Sequence, residues 1–372
     1  MLQHDFERIE MSKVALVSDL HFGVKDSDRK FQDSQFAFME QMVQNCKDRG
    51  IEKIFVLGDL FDTRHAVNVL TVNRVVEFFK SHEGEVIWYI ILGNHDLYYK
   101  NSIDVSSIVV LDRINNVNII DKPQRMRLDH KKCSETGKDH DTVVVPWVTD
   151  YEEFRNYVEK EFDVSCGITR LFGHLDVIGA KMDIFNNRAE QGFDKAELFK
   201  HWKHVYTGHY HIHSETTQGD CKLTYLGSPY QLNRSEIETK GFYILDTYTE
   251  ELEFVKNEHC IEYKKLKYPE MPENPEEFIR GHIIDVEISW EDSKYMTKVN
   301  DYLEKLESYG PAYPVNPIYQ RRRETTPTEK IDVSKITILS LGKRYIDDCE
   351  DIKNKSKVFQ AFKELYSSHS IQ

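Results

Sequence analysis

Five times in its first 211 residues the chain runs from a short apolar stretch into a cluster of Asp, Asn or His. Lys13 to Ser18 (KVALVS) leads into Asp19-Leu20-His21, and Lys53 to Leu57 (KIFVL) leads into Gly58-Asp59-Leu60-Phe61-Asp62. Val86 to Leu92 (VIWYIIL) leads into Gly93-Asn94-His95-Asp96. Ile168 to Phe172 leads into Gly173-His174, and His204 to Thr207 into Gly208-His209-Tyr210-His211. Unbroken apolar runs this short fit strands covered on both faces. Helical patterns fall between them, around Asp33 to Asp48 and Val69 to Lys80. The alternation predicts an α/β chain whose polar clusters gather beyond the carboxyl ends of its strands.

The residue types in those loops suit one another. Carboxylate, imidazole and amide oxygen are ligands that Mn²⁺, Fe²⁺ or Zn²⁺ accept, and the lack of thiolates argues against a structural zinc site. A Gly before a ligand lets the backbone turn sharply and approach an ion closely. A single Asp-x-His or Gly-His is commonplace. All five clusters in this order, each after an apolar run, point to a two-metal site.

This series resembles the calcineurin-like metallophosphoesterase superfamily. Within it, the chain is similar to the SbcD-type nuclease subunits of DNA repair and recombination, those of T-even-type phages included. The resemblance covers the N-terminal ~260 residues through these motifs. It implies a two-sheet sandwich flanked by helices, with a small α+β capping domain and a C-terminal helix. It implies that Asp19, His21 and His211 hold one metal, that Asn94, His174 and His209 hold the other, and that Asp59 bridges both. His95 would face the scissile phosphate as the catalytic side chain, with the carboxylate of Asp62 or Asp96 orienting its ring. The cofactor implied is two divalent cations, Mn²⁺ foremost, with Mg²⁺ or Fe²⁺ as alternatives. The implied partners are DNA, an SMC-like ATPase of the SbcC type, and a second copy of the chain. The implied reaction is exonucleolytic and endonucleolytic cleavage of DNA.

Composition bears on this in two places. The net charge is −14, whereas a sequence-independent DNA site normally shows a basic excess. Two bound cations would add four positive charges, and a basic partner could supply the rest. The six cysteines (Cys46, Cys133, Cys166, Cys221, Cys260 and Cys349) are scattered, with no CxxC pair, as expected of reduced bystanders. With no long apolar span and no signal-peptide pattern, the chain is expected in the cytoplasm.

Three segments are expected: a nuclease domain at 1–267, a capping domain at 268–345 and a partner-binding helical segment at 346–372. A linker is read at Tyr268 to Glu277, where proline and acid are concentrated. Lys222 to Leu226, Gly241 to Leu245 and Leu252 to Val255 suggest an antiparallel meander. Beyond the linker, strands are expected at His282 to Ser289 and Lys335 to Leu341, with helices at Tyr295 to Ser308 and Ile352 to Ser367. The resemblance places a dimer contact on helices at Val67 to Phe79 and Ile103 to Ile114. His213 is expected on an exposed strand face, His201 and His204 at a solvated helix end, Gly227-Ser228-Pro229 in a plain turn, and Arg321-Arg322-Arg323 in a solvated loop. Outside the nuclease reading stand a phosphoprotein phosphatase, a small-molecule phosphodiesterase and a non-catalytic scaffold for the ATPase. Family phosphatases carry Arg-Gly after the second Asp, whereas Asp62 here is followed by Thr63 and Arg64.

Overall fold

The computed structural model describes residues 13–99, 102–128, 142–161, 170–320, 338–348 and 354–369. The arginines 321–323 and Cys133, Cys166 and Cys349 lie outside the described residues. The chain divides into two compact units, Met1–Tyr319 and Gln320–Gln372.

The first unit begins with strands β1 (Lys13–Val17), β2 (Lys53–Val56), β3 (Ile87–Ile91) and β4 (Val117–Ile120). β5 (Gln124–Met126), β6 (Thr142–Val145), β7 (Arg170–His174) and β8 (His204–Gly208) follow. β9 (Ser214–Gln218), β10 (Cys221–Tyr225), β11 (Gly241–Asp246) and β12 (Leu252–Lys256) complete the series. They form two six-stranded sheets, in the orders β12-β11-β1-β2-β3-β4 and β5-β6-β7-β8-β10-β9. β1, β2, β3 and β4 run parallel, as do β6, β7 and β8. The expected α/β two-sheet architecture is therefore present.

Side chains alternate across a strand, and that period sorts the core. From β1, Ala15 and Val17 face the helices while Val14 and Leu16 face the other sheet; from β2, Ile54 and Val56 divide from Phe55 in the same way. Leu171 and Val205 of the second sheet pack outward, and Phe172 and Tyr206 pack inward. Continuous apolar runs are required because both faces are covered. Helices α1 (Arg29–Asp48) and α2 (Val69–Ser81) cover the first sheet. α3 (Tyr151–Glu161) and α4 (Lys195–His201) lie on the second. Phe55 sits at the seam between the sheets, stacked on Tyr89 at 4.8 Å and edge-on to Phe172 at 5.1 Å. Phe55→Ala is expected to cost about 3–5 kcal/mol of stability, as buried Phe truncations do; chemical denaturation of the metal-free chain measures it, and a loss under about 1 kcal/mol would mean the seam is not a true core.

A third sheet of parallel strands follows: β13 (Tyr263–Lys267), β14 (Ile283–Ile288) and β15 (Asn316–Tyr319). With α5 (Pro275–Ile279) and α6 (Met296–Glu307) it encloses its own core around Ile284, Val286 and Leu306. It is tied to the first sheet's flank by Arg234 to Asp285 at 2.7 Å and by Lys25 to the Tyr263 hydroxyl at 2.5 Å. The second unit contains α7 (Ile338–Asp348) and α8 (Lys355–His369), which pack on one another. Among the described residues, no helix is long and apolar enough to cross a membrane.

Four expectations need correction. Residues 338–341 open a helix, not a strand; its Ile346 is buried, and Gly342 lies so close to the Phe362 ring of α8 that a Cβ there would fall 2.3 Å from it. Ile103 to Ile114 is turns and one 3₁₀ stretch (Ser107–Leu111), because Ile108, Val109 and Val110 in a row are poor helix formers. The meander is two hairpins on different sheets, since residues 226–240 carry the chain from β10 in one to β11 in the other. The linker read at Tyr268 to Glu277 already contains the start of α5.

Candidate metal centre

Parallel strands deliver their carboxyl ends to one edge, and both sheets do so at the same place. Two bonds tie the ends together: Trp147 N–H to the Leu92 carbonyl at 2.7 Å, and His174 Nδ1 to the Leu57 carbonyl at 2.7 Å. The loops that follow turn abruptly. Asp19, His21, Asp59 and His209 have φ of 55°, 44°, 53° and 98°, a left-handed conformation uncommon outside glycine. Each costs on the order of 1–3 kcal/mol, and such strain persists where the surrounding structure dictates it, typically at functional sites. Two glycines leave the room this needs. A Cβ on Gly58 would fall 2.2 Å from His174 Nδ1, and one on Gly93 would fall 2.2 Å from Asp59 Oδ1.

The result is two adjoining groups of donors. Asp19, His21 and His211 form one, and Asp59, His174 and His209 form the other, with ligand atoms in each within 4.8 Å of one another. Asn94 belongs with the second group, its Oδ1 lying 3.0 Å from His174 Nε2 and 2.9 Å from His209 Nδ1. Asp59 stands between them: its Oδ2 is 3.4 Å from His174 Nε2 and 3.7 Å from His21 Nε2. All seven residues named as ligands from the sequence are thus brought together.

The electrostatics call for positive charge. Asp19 and Asp59 are buried, and among the described residues the ion-pair partners found for them are imidazoles. Buried carboxylates without Lys or Arg need another counter-charge. Burial alone would raise the Asp59 pKa, but the charges of His174, His21 and His95 and the His174 hydrogen bond outweigh it and hold the carboxyl far below the usual range. Burial opposes protonation of His174, yet the Asp59 carboxylate overrides it and pushes the imidazole up to about 9. His209 goes the other way, down to about 3, through burial and then the charge of His174. A site that draws protons onto a buried imidazole would exchange them for cations, as metal sites do. Oxygen and imidazole donors converging without thiolate suit hard to borderline divalent ions.

His95 lies at the edge of this cluster and is half-buried, its ring edge-on to His21 at 5.0 Å. Its backbone N–H donates to Asp59 Oδ1 at 2.8 Å, and its Nδ1 is 2.6 Å from the main-chain carbonyl of Asp62. Neither expected carboxylate orients that ring. Asp62 Oδ1 instead lies 3.2 Å from His21 Nδ1, close enough for charge pairing although not aligned as a hydrogen bond. Asp96 turns away and accepts backbone N–H groups of Gly93, Phe61 and Leu60 at 2.9, 3.1 and 3.3 Å, clamping two ligand loops together. Burial, then the nearby Asp59 charge, push the Asp96 carboxyl up to about 7 despite those three bonds.

Other residues fall differently from their expected places. His213 is half-buried in the loop before β9, stacked on Tyr243 and bonded to its hydroxyl at 2.8 Å. His201 ends α4 and His204 opens β8, about a buried Trp202 rather than a solvated end. Gly227-Ser228-Pro229 is more than a turn, since Ser228 is buried and bonded to Glu236 at 3.1 Å. Trp147 and Glu236 had no signal in the sequence. Trp147 lies 5.0 Å from the His209 ring, and Glu236 reaches His211.

Comparison with known proteins adds to this geometry. A family profile described as calcineurin-like phosphoesterase matches residues 12–239. Exonuclease subunit 1 of Enterobacteria phage T4 is 25% identical over 361 residues, covering 95% of this chain and 98% of that protein. A protein of Invertebrate iridescent virus 6 described as a phosphoesterase is 23% identical over 244 residues, covering 63% of this chain and 75% of its own length. Among solved structures, a dimetal phosphatase from Danio rerio is similar over 63% of this chain and 92% of its own, at 10% identity and a TM-score of 0.39.

Proposed function

The chain belongs to the calcineurin-like phosphoesterase family, and from that premise we propose that it is a two-cation DNA nuclease, the catalytic subunit of a larger complex. The observation that carries this reading is the convergence of seven donor side chains and His95 where the two sheets end. Asp19, His21 and His211 would hold one cation, Asn94, His174 and His209 the other, and Asp59 would be shared. When bound, the two ions would neutralise phosphate charge and make an attacking hydroxide available near neutral pH.

The remaining work falls to His95. Donation from Nδ1 to the Asp62 carbonyl fixes the ring and leaves Nε2 as its free nitrogen. A proton on Nε2 would stabilise charge on the phosphate or pass to the leaving oxygen.

DNA is favoured as substrate because the relative aligned over nearly the whole chain is an exonuclease subunit. The absence of Arg-Gly after Asp62 weighs against a phosphoprotein phosphatase. The purified full chain in Mn²⁺ is expected to degrade end-labelled linear duplex DNA and to leave a phosphopeptide intact; the reverse pattern would replace the nuclease reading with the phosphatase one. Both exonucleolytic and endonucleolytic cleavage are proposed, with Mn²⁺ the preferred ion and the host cytoplasm the setting.

The net charge of −14 makes a basic partner useful, and an SMC-like ATPase would bring the DNA to a subunit that alone repels it. α8 leaves Val358 exposed for that contact, while Phe359 and Phe362 of the same stripe lie beside Lys343 and Gly342 of α7; the side chains of Leu365 and Tyr366, expected on the same stripe, lie outside the described residues. A chain ending at Tyr319 keeps the whole donor set. It is expected to retain manganese-dependent cleavage and to lose ATP-dependent stimulation by the partner. Full stimulation of the shortened chain would remove the docking role.

A homodimer is proposed on the exposed Val69, Leu70, Val109 and Val110, where α2 packs beside the 3₁₀ stretch. Sedimentation at micromolar concentration is expected to show a dimer, and a monomer unaltered by DNA would exclude it.

A further inference from the structure

We propose that Glu236 is a positioning residue for one of the two metals: its carboxylate holds His211 as the Nδ1–H tautomer and so presents Nε2 to the cation shared with Asp19 and His21. The inference rests on the two-cation reading above and assigns a role outside its seven ligands.

The placement is specific. Glu236 is 2% exposed, on the long connection between the two sheets, and its Oε1 lies 3.3 Å from His211 Nδ1. The opposite nitrogen of the same ring, Nε2, is 3.1 Å from His21 Nε2, inside the first donor group. One nitrogen of His211 therefore faces a carboxylate and the other faces the ligands. A neutral imidazole can carry its proton on only one of them, and the carboxylate accepts it from Nδ1.

The carboxylate is itself immobilised. Ser228 Oγ, the Leu232 N–H and Lys240 Nζ reach Oε2 at 3.1, 3.2 and 3.3 Å, and Asn233 Nδ2 reaches Oε1 at 2.5 Å. Lys240 also donates to the His211 main-chain carbonyl at 2.6 Å, so one ammonium fixes both the carboxylate and the residue it serves.

The two proposed sites also differ. In the first group, His21 and His211 are each backed by a carboxylate, from Asp62 and Glu236. In the second, His174 is backed by a neutral carbonyl, from Leu57. A carboxylate behind the ring raises ligand basicity more than a carbonyl does, and loss of such a partner typically lowers metal affinity by about 10–100-fold. Glu236→Gln should therefore weaken one site and spare the other.

The test is titration of Mn²⁺ into the metal-free full chain, with free Mn²⁺ read by electron paramagnetic resonance. Wild type should bind two ions. Glu236→Gln should lose about 10–100-fold at one site and stay within about twofold at the other. His211→Ala should weaken the same site, and the double variant should show little further loss, since the two residues act as one unit. Wild-type binding of both ions by Glu236→Gln, or full additivity in the double variant, would overturn the proposal. If Glu236→Gln does not fold, ¹⁵N imidazole spectra of the zinc-loaded wild type decide: a proton on Nδ1 of His211 supports the assignment and one on Nε2 refutes it. A wild type that binds two ions but cleaves no DNA would remove the nuclease reading and leave this one standing. A wild type that binds no ion would end both.

Discussion

Asp59→Ala is expected to abolish phosphodiester hydrolysis and to reduce tight metal binding from two ions to one or none. Among the proposed ligands, its carboxylate alone stands within 4 Å of imidazoles from both groups, His21 at 3.7 Å and His174 at 3.4 Å. Its Oδ1 also receives the His95 N–H, so the substitution unlatches the loop carrying the proposed acid. The chain should still fold when metal-free. Removing one partner of a buried charge pair leaves the His174 imidazole without its counter-charge, so the apo melting temperature should fall. Mn²⁺ stoichiometry and turnover on linear duplex, measured together, test this. Residual cleavage above about one per cent of wild type, with two ions still bound, would mean that Asp59 is not the shared ligand.

His95→Ala separates binding from chemistry. The hydrogen bond found for the ring, among the described residues, is from Nδ1 to the Asp62 carbonyl, and the ring meets His21 edge-on. Both ions should bind with near-normal affinity while turnover falls about 10²–10⁴-fold, the usual cost of a lost acid or charge-stabilising group. Equal losses in kcat and kcat/KM are expected if the interaction exists only in the transition state. Loss of a bound ion in this variant would make His95 a ligand instead. Asp62→Asn should be milder, because His95 is held by a backbone oxygen that the substitution keeps.

Much of this is legible in the sequence. β1, β2, β3, β7 and β8 announce themselves because burial on both faces demands unbroken apolar runs. The ligands then follow, since a parallel sheet places whatever ends its strands at one edge. β9, with SETTQ, and β13, with YKKLK, are largely polar and lie at sheet edges, so they carry no such signal. Ile103 to Ile114 misled because apolar content without the right spacing resembles a helix. The orientation of His95 was unreadable for a deeper reason: every residue owns a carbonyl, and only the fold decides that the one from Asp62 meets Nδ1. Glu236 is hidden likewise, since its 25-residue separation from His211 in sequence means nothing until the chain crosses between sheets.

The seam between the sheets has one more consequence. Asp19, His21, Asp59 and Asn94 follow strands of the first sheet, while His174, His209 and His211 belong to the second. No proposed cation has all its donors on one side, so an ion can be held only when the halves of the sandwich have closed on each other. Closure and ion concentration are then thermodynamically linked. An ion at a hundred times its Kd adds about 2.7 kcal/mol to the closed form, provided the unfolded chain binds it weakly. Without ions, the two buried carboxylates of the first sheet have imidazoles as their ion-pair partners, that of His174 reaching Asp59 from across the seam. On the two-cation reading, the melting temperature of the chain should climb with the divalent ion supply around it.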